Sequence, residues 1–155
     1  MTDCGTCKRL GDKNSLVYET KCWKISLNDD QAYLGRCFVD LKRHCGDLAD
    51  LKPDEQKDLF KVIKLLEGAL RDAFGAVMFN WTCLMNNAYK AKIPKPHVHW
   101  HFRPRYDKKV KFTGMVFEDL EFAHHYSRER KLEVSREVKK KIIEKISENL
   151  KGRAK

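Results

Sequence analysis

Three histidines, His97, His99 and His101, alternate with the apolar residues Val98 and Trp100. Strict alternation with β-branched and aromatic spacers predicts a β-strand, on which every second side chain points to the same face. Three imidazoles on one face can hold a metal ion, can supply a nucleophile flanked by hydrogen-bonding partners, or can be a chance run on a solvated surface. Six histidines among 155 residues make chance the weakest of these interpretations.

Cys4 and Cys7 form a second candidate cluster. Two cysteines at this spacing can grip one metal ion, but a tetrahedral site needs two further ligands. A thioredoxin-like redox role would require a strand-to-helix context, which the N-terminus does not show. Without further ligands, the two thiols would simply be idle.

The length and the charge of the chain limit the classes of protein to which it can belong. The chain has 155 residues, enough for one domain with a hydrophobic core, and its net charge is +10. Lysines and arginines bracket the three histidines, which favours anionic ligands such as phosphates, whereas nucleic acid is an alternative that charge alone does not separate. No apolar run approaches the roughly 20 residues of a membrane span, and the N-terminus has no signal-peptide pattern. We therefore expect a cytoplasmic protein with no membrane partner, whose thiols are free or metal-bound.

Periodicity predicts the elements that must position these residues. Strands are predicted over residues 15–19, 22–27, 34–41, 76–84 and 110–117, besides the histidine strand, and helices over residues 53–74 and 135–150. Pro104 is expected to end the histidine strand or to place its end at a sheet edge. His124 and His125 are taken as surface or core histidines, because neighbours on a strand point to opposite faces and cannot grip one metal together.

The stretch from His97 to Arg105 resembles the signature of the histidine triad (HIT) family, in which three histidines alternate with apolar residues and Pro-Arg follows. The resemblance covers residues 4–106 and implies an α+β, HIT-like fold with an antiparallel sheet, one long helix and a C-terminal helix. We expect a HIT-like domain over residues 1–126 and a basic helical extension over residues 127–155, packed on the same domain or on a dimer mate. The resemblance also implies a homodimer formed by extension of the sheet.

Zinc-containing members of this family hold their metal with a Cys-x-x-Cys pair near the N-terminus, a histidine after a basic pair and the first histidine of the triad. The matching residues here are Cys4, Cys7, His44 and His97, with Cys45 as an alternative ligand. Two thiolates and two imidazoles are a sound tetrahedral set for zinc. The site would be closed and structural, and would tie the N-terminus to the histidine strand.

The middle histidine is the best candidate nucleophile. A neutral imidazole can attack phosphorus and form a phosphoramidate, which divides one displacement into two. His99 alone has an imidazole on each side to orient it or to shuttle a proton. The resemblance implies the same role, a nucleotidyl intermediate on His99 at the α-phosphate, with His101 orienting the phosphate or protonating the leaving group. His97 also faces the substrate, but it cannot act freely as an acid if it binds zinc.

By the same resemblance, Asn28, Arg36 and Asn86 are substrate-binding positions. Asn28 stands at the family's ribose-binding position, and Asn86 corresponds to an Asn that precedes the triad. Arg36 replaces a fourth active-site histidine, and it can supply charge to a phosphate. The segment 92–96 (KIPKP) replaces a Gly-Gln-Ser sequence that contacts phosphate in many members. These two departures from the family pattern bear on which substrate is bound more than on the type of reaction.

The predicted function is therefore that of a nucleotide hydrolase or nucleotidyl transferase that cleaves phosphoester, phosphoramidate or phosphoanhydride bonds at the α-phosphate. Dinucleoside polyphosphates and nucleoside phosphoramidates are the expected types of substrate. A nucleotide- or nucleic-acid-binding module with little turnover is the alternative, which the two departures favour. An enzyme that removes adenylate from nucleic-acid ends ranks lowest, because it would need strong, salt-dependent nucleic-acid binding and no appended module for it is visible.

Overall fold

A computed structural model describes residues 4–155 as a mixed α+β structure, which confirms the predicted fold class. The helices are α1 (Gly5–Leu10), α2 (Pro53–Phe74) and α3 (Arg136–Arg153). The strands are β1 (Leu16–Glu19), β2 (Trp23–Leu27), β3 (Cys37–Leu41), β4 (Met78–Thr82), β5 (His99–Arg105), β6 (Val110–Phe112) and β7 (Met115–Phe117). Short 3-10 helices cover Leu48–Asp50 and Asn86–Lys90. None of the helices in residues 4–155 has the length and apolarity needed to cross a membrane.

Five strands form an antiparallel sheet in the order β1–β2–β3–β5–β4, and β6 and β7 form a separate hairpin. The histidine strand β5 is an inner strand, with β3 on one side and β4 on the other. In the β3–β5 register, His101 lies opposite Phe38, and His99 lies opposite Asp40. Directly opposed residues point to the same face of a sheet, so these four side chains lie together.

The other face of the sheet carries the hydrophobic core. Phe102, between two residues of the histidine face, is fully buried there. Helix α2 covers this face, and Trp23 Nε1 donates a hydrogen bond to the Glu55 carbonyl at 2.9 Å. Helix α3 packs on α2 and β1, with Ser147 Oγ donating to the Val17 carbonyl at 2.6 Å. The two long helices thus leave the histidine face to α1 and to loops.

Helix α2 has the bounds that the sequence predicts, and its ends show why. Pro53 starts the helix, where its missing N–H costs nothing. The Glu55 carboxylate accepts the backbone N–H of Lys52 at 2.8 Å, which satisfies a donor at the helix start. Gly75 ends the helix in the left-handed region at φ 74°.

Two predicted strands are wrong in extent because glycines turn the chain. Residues 110–117 form the hairpin β6–β7, since Thr113 and Gly114 have φ values of 53° and 77° and reverse the direction. The strand predicted over 34–41 begins only at Cys37, because Gly35 lies in a turn with φ 80°. The pattern of apolar residues in the sequence gives no sign of either turn.

The histidine strand also differs from expectation at both ends. It begins at His99, so His97 precedes it, and it continues through Pro104 to Arg105. Pro104 pairs with Phe79 of β4, but it lies beyond the last residue of β5 that pairs with β3. The proline is therefore tolerated because, at Pro104, β5 has a neighbouring strand on one side only. This confirms the second of the two expectations for Pro104, a strand end at a sheet edge.

Candidate active site and metal centre

A cavity of about 660 Å³ opens on the histidine face of the sheet. Its walls come from α1, β3, β5 and the segment between β4 and β5. The lining residues are Cys4, Gly5, Thr6, Arg9, Phe38, Leu84, Met85, Asn87, Ala88, Ala91, Lys92, Ile93, Lys95, His97, His99 and His101. The three histidines thus meet one cavity, and the charged side chains of the described lining other than histidine are all cationic.

The ring of His99 is held in one orientation by the backbone. Its Nδ1 lies 2.7 Å from the carbonyl oxygen of His97, and because a carbonyl only accepts, Nδ1 carries the proton. The lone pair is therefore on Nε2, which makes no hydrogen bond to the described chain. Burial lowers the pKa of His99, although the bond to the His97 carbonyl acts in the opposite direction. The result is a neutral imidazole with a free nucleophilic nitrogen.

His101 is the most strongly perturbed member of the triad. Burial, then the charge of His99 and that of Arg103, lower the pKa of His101 to about 3. Its Nδ1 is buried and has no hydrogen-bond partner within residues 4–155. The rings of His99 and His101 lie 5.0 Å apart, and Phe38 contacts the His101 ring at 5.1 Å. At neutral pH, His101 is therefore a neutral hydrogen-bonding group beside His99.

The four predicted metal ligands come together at the end of the cavity nearest α1. One nitrogen or sulfur atom of each of Cys4, Cys7, His44 and His97 lies within 4.8 Å of the others. Nδ1 of His97 is 3.4 Å from Cys4 Sγ, 3.3 Å from Cys7 Sγ and 3.2 Å from His44 Nδ1. Cys7 Sγ is 3.4 Å from His44 Nδ1.

These spacings match those of a tetrahedral zinc site. With Zn–S bonds of about 2.3 Å and Zn–N bonds of about 2.0 Å, tetrahedral angles place S and N ligands roughly 3.5 Å apart and two N ligands roughly 3.3 Å apart. The observed separations lie within a few tenths of an ångström of both values. Cys45, the alternative ligand, donates instead to the Asp47 carbonyl at 3.2 Å and is outside the cluster.

The surroundings of His97 also suit a ligand. Its Nε2 donates to the carbonyl of Leu41 at 2.7 Å, which leaves the lone pair on Nδ1, the atom that faces the cluster. A carbonyl that accepts a hydrogen bond from the other ring nitrogen orients a ligating imidazole. Burial lowers the pKa of His97, which favours the neutral form that binds metal.

Two of the predicted substrate-binding residues lie in the turn between β2 and β3, outside the cavity lining. Asn28 Oδ1 accepts from the backbone N–H of Asp30 at 2.9 Å. Arg36 Nη1 donates to the carboxylate of the same Asp30 at 2.5 Å. Arg36 is nevertheless close enough to the triad for its positive charge to lower the pKa of His101.

The third predicted residue, Asn86, is exposed at the start of a 3-10 helix, between the lining residues Met85 and Asn87. His124 and His125 lie elsewhere and are exposed. The carbonyl of His124 accepts from Arg105 at 2.9 Å, and neither imidazole lines the cavity.

Two arginines near the triad were missed by the sequence interpretation. Arg103 follows His101 on the same face of β5, is buried, and stacks over the Tyr126 ring at 3.9 Å. The alternation of β5 predicts its orientation and could have identified it. Arg9 lines the cavity and forms a two-bond ion pair with Asp40, which is 31 positions away. The sequence contains no signal for a contact at that separation.

The HIT domain family matches residues 10–108, more than half of the chain, and the chain therefore belongs to the histidine triad family. Protein hit of Bacillus subtilis (strain 168) is 29% identical over 142 residues, which are 90% of this chain and 94% of that protein.

Solved structures of histidine triad proteins share the fold. A hypothetical histidine triad nucleotide-binding protein from Sulfolobus tokodaii strain 7 has a TM-score of 0.70 and 20% identity, covering 96% of this chain and 93% of that one. A zinc-bound histidine triad family protein from Mycobacterium smegmatis has a TM-score of 0.65 and 19% identity, covering 98% and 96%. A uridylyltransferase has a TM-score of 0.61 and 18% identity, covering 95% of this chain and 44% of that one. The predicted HIT-like fold is confirmed.

Proposed function

We propose that this protein is a nucleotide hydrolase or nucleotidyl transferase that acts at the α-phosphate through a covalent intermediate on His99. The observation that carries the proposal is the state of the His99 ring. Nδ1 is bound to a carbonyl, and Nε2 is left with a lone pair on a ring that lines a cationic cavity. Phosphoester, phosphoramidate and phosphoanhydride bonds of nucleotides are the proposed targets.

The reaction proceeds in two displacements. In the first, His99 Nε2 forms a bond to the α-phosphorus while the bond to the leaving group breaks, and the leaving group departs with that electron pair and takes up a proton from solvent. In the second, water or another acceptor attacks phosphorus and releases its proton to solvent, the P–N bond breaks, and Nε2 regains its lone pair. Hydrolysis and transfer differ only in this acceptor.

His101 orients the phosphate in this scheme. Because the pKa of His101 is about 3, it is neutral when the site is empty, and a neutral ring is a hydrogen-bonding group rather than a ready acid. His97 contacts the substrate side of the cavity but has both ring nitrogens engaged by Leu41 and the cysteine–histidine cluster. Asn28, Arg36 and Asn86 remain proposed substrate contacts, on their correspondence with the family pattern.

Cys4, Cys7, His44 and His97 would hold zinc as a structural ion. Four protein ligands leave no open position, so the metal's contribution is to fix α1 against β5 rather than to activate water. The spacing of the four ligand atoms supports this assignment.

We also propose a cytoplasmic homodimer in which residues 127–155 are an extension of a domain over residues 1–126. β4 is an end strand of the sheet, and all five of its residues are half-buried. The other end strand, β1, is packed by α3, so β4 is the edge that sheet extension would use. Nucleic acid is not favoured as a partner.

The test is turnover of a dinucleoside polyphosphate and of an adenosine phosphoramidate by wild type and by His99→Ala. We expect turnover of at least one of them by wild type, its loss in the variant, and nucleotide affinity within a few fold of wild type. His124→Ala, which removes an exposed histidine outside the cavity, is the matched control. Equal turnover by His99→Ala would contradict the proposal.

The second candidate is a nucleotide-binding module with little turnover. Arg36 in place of a family histidine and the low pKa of His101 favour it, because both reduce the capacity for proton transfer. Tight nucleotide binding by wild type, with no turnover of any ester or amidate, would support this second function.

A further inference from the structure

Arg9 is held at the cavity by contacts that leave one of its nitrogens without a partner among residues 4–155. Its Nε and Nη2 donate to the two carboxylate oxygens of Asp40 at 2.9 and 2.6 Å, and Nη2 also reaches Thr6 Oγ1 at 3.3 Å. Nη1 donates no hydrogen bond to residues 4–155. The side chain of Asp40 is fully buried, whereas that of Arg9 is 24% exposed, so Arg9 is the partly exposed member of the pair.

The guanidinium is fixed in position rather than mobile on the surface. Its Cζ lies over the ring of Phe38, 4.0 Å from the ring centroid. The same ring contacts His101 at 5.1 Å and His99 at 6.3 Å. Arg9 makes no hydrogen bond to either imidazole, so Arg9 and His99 are separate points of contact for one ligand that lies along Phe38.

The charges around the cavity indicate how much negative charge that ligand carries. Arg9, Lys92 and Lys95 all line it, and no carboxylate of the described chain does. One phosphate in contact with the triad does not need three further cations. A ligand with a second phosphate next to the reacting one would use them, and arginine is the side chain best suited to bind phosphate in a fixed direction.

We propose that Arg9, through Nη1, binds a phosphate of the leaving group, so that the site favours nucleotides with at least two linked phosphates over phosphoramidates with an amine leaving group. This inference rests on the proposed function, since it names the substrate class for the same site. In the reaction, the bond that breaks joins the α-phosphorus to the bridging oxygen, and the departing phosphate remains bound to Arg9 as its charge increases.

The test compares the binding of two inert ligands by isothermal titration calorimetry. They are adenosine monophosphate and α,β-methylene adenosine diphosphate, which carries the second phosphate but cannot be cleaved at the bridge. The variant is Arg9→Gln with Asp40→Asn, because removing Arg9 alone would leave a buried carboxylate unpaired. The control is Arg71→Gln with Glu67→Gln, since Arg71 also stacks on a phenylalanine and pairs with a carboxylate, on α2 and outside the cavity lining.

The expected result is a loss of about tenfold or more in affinity for the diphosphate analogue, the size of one charge-assisted hydrogen bond, with the monophosphate changed less than threefold. The control changes neither. Equal losses for both ligands, or no loss for either, would overturn the inference. Arg9→Lys keeps an ion pair with Asp40, so this variant is expected to fold. If the ratio of its affinities for the diphosphate analogue and the monophosphate equals that of wild type, the inference is contradicted as well.

Failure of the inference and failure of the proposed function are distinguishable. If wild type binds neither ligand, both are wrong. If wild type binds both ligands and the Arg9 variants lose the diphosphate selectively, the inference holds even where no covalent intermediate forms on His99.

Discussion

The pKa of His101 differs strongly from that of a histidine in water. An imidazole in water is half protonated near pH 6.5, but here burial and four neighbouring basic groups lower the pKa of His101 to about 3. The folded protein therefore binds a proton at His101 far less readily than the unfolded chain does. By linkage, the contribution of His101 to stability is present above pH 6.5 and is lost as the pH falls from 6.5 towards 3.

We predict that His101→Gln reduces the dependence of stability on pH. Between pH 7.5 and pH 5, wild type should lose about 2 kcal/mol more of its unfolding free energy than the variant does, which is the linkage value for a pKa that moves from 6.5 to 3. Urea unfolding at the two pH values measures it. His124→Gln, at an exposed histidine, should behave as wild type, and parallel curves for wild type and His101→Gln would contradict the assignment.

At the scale of secondary-structure elements, the stability of the short helix α1 depends on its contacts with the rest of the protein. A helix of six residues is not stable alone. Its start is in the cysteine–histidine cluster, and Arg9 joins it to β3. At its end, the buried Lys24 donates from Nζ to the Leu10 carbonyl at 2.8 Å, where a cation favours the negative end of a helix. Because α1 carries Arg9, a zinc ion held by the cysteine–histidine cluster would help to place Arg9 at the cavity.

We predict about one zinc per chain in purified protein, as a site with four protein ligands should hold. Cys7→Ser should lower the metal content several-fold and should make the N-terminal segment sensitive to limited proteolysis. Metal analysis and protease digestion measure these two effects. Cys22→Ser changes a half-buried cysteine outside the cluster and is the control. Normal folding of wild type with no metal would remove the four residues from the site.

The packing of α3 gives a second prediction at this scale. Ile146 is fully buried between α3 and the core, whereas Ile143 on the same helix is only partly buried. Ile146→Ala should cost about 2–5 kcal/mol of unfolding free energy, and Ile143→Ala clearly less, because the lost apolar contact and the cavity scale with burial. Denaturant unfolding compares them. Equal costs would show that α3 is not packed as described.

The sequence predicted local features well and distant contacts poorly. The bounds of α2 followed from Pro53, Glu55 and Gly75, which act within a turn or two of the helix. The four candidate metal ligands could be named because the family resemblance supplied all four positions. The Arg9–Asp40 pair could not be predicted, since it joins a helix to a strand that is distant in sequence and no periodicity marks it. The hairpin β6–β7 was missed because the turn at Thr113 and Gly114 lies within a run of mostly apolar residues.

At the scale of the whole molecule, the open edge at β4 predicts self-association. Every second residue of an end strand directs its backbone N–H and C=O away from the sheet, where another strand can pair with them. Sedimentation equilibrium should therefore give twice the chain mass of 18.2 kDa at micromolar concentration. A mass of 18.2 kDa would contradict the homodimer and would leave β4 as an uncovered edge.

The net charge of +10 acts over the same scale. It attracts polyanions to the cavity from a distance and is screened by salt. The proposed chemistry, however, rests on one atom, Nε2 of His99. In that proposal, the other residues of the site position this atom, supply charge near it or hold the elements that carry it.

A covalent intermediate on His99 can be detected by intact-protein mass spectrometry of wild type and of His99→Ala after brief incubation with an adenosine phosphoramidate. The expected result is a mass increase equal to one adenylyl group on wild type, located on His99 by fragmentation and absent from the variant. No adduct on wild type although nucleotide is released, or an adduct of equal amount on His99→Ala, would contradict covalent catalysis at His99.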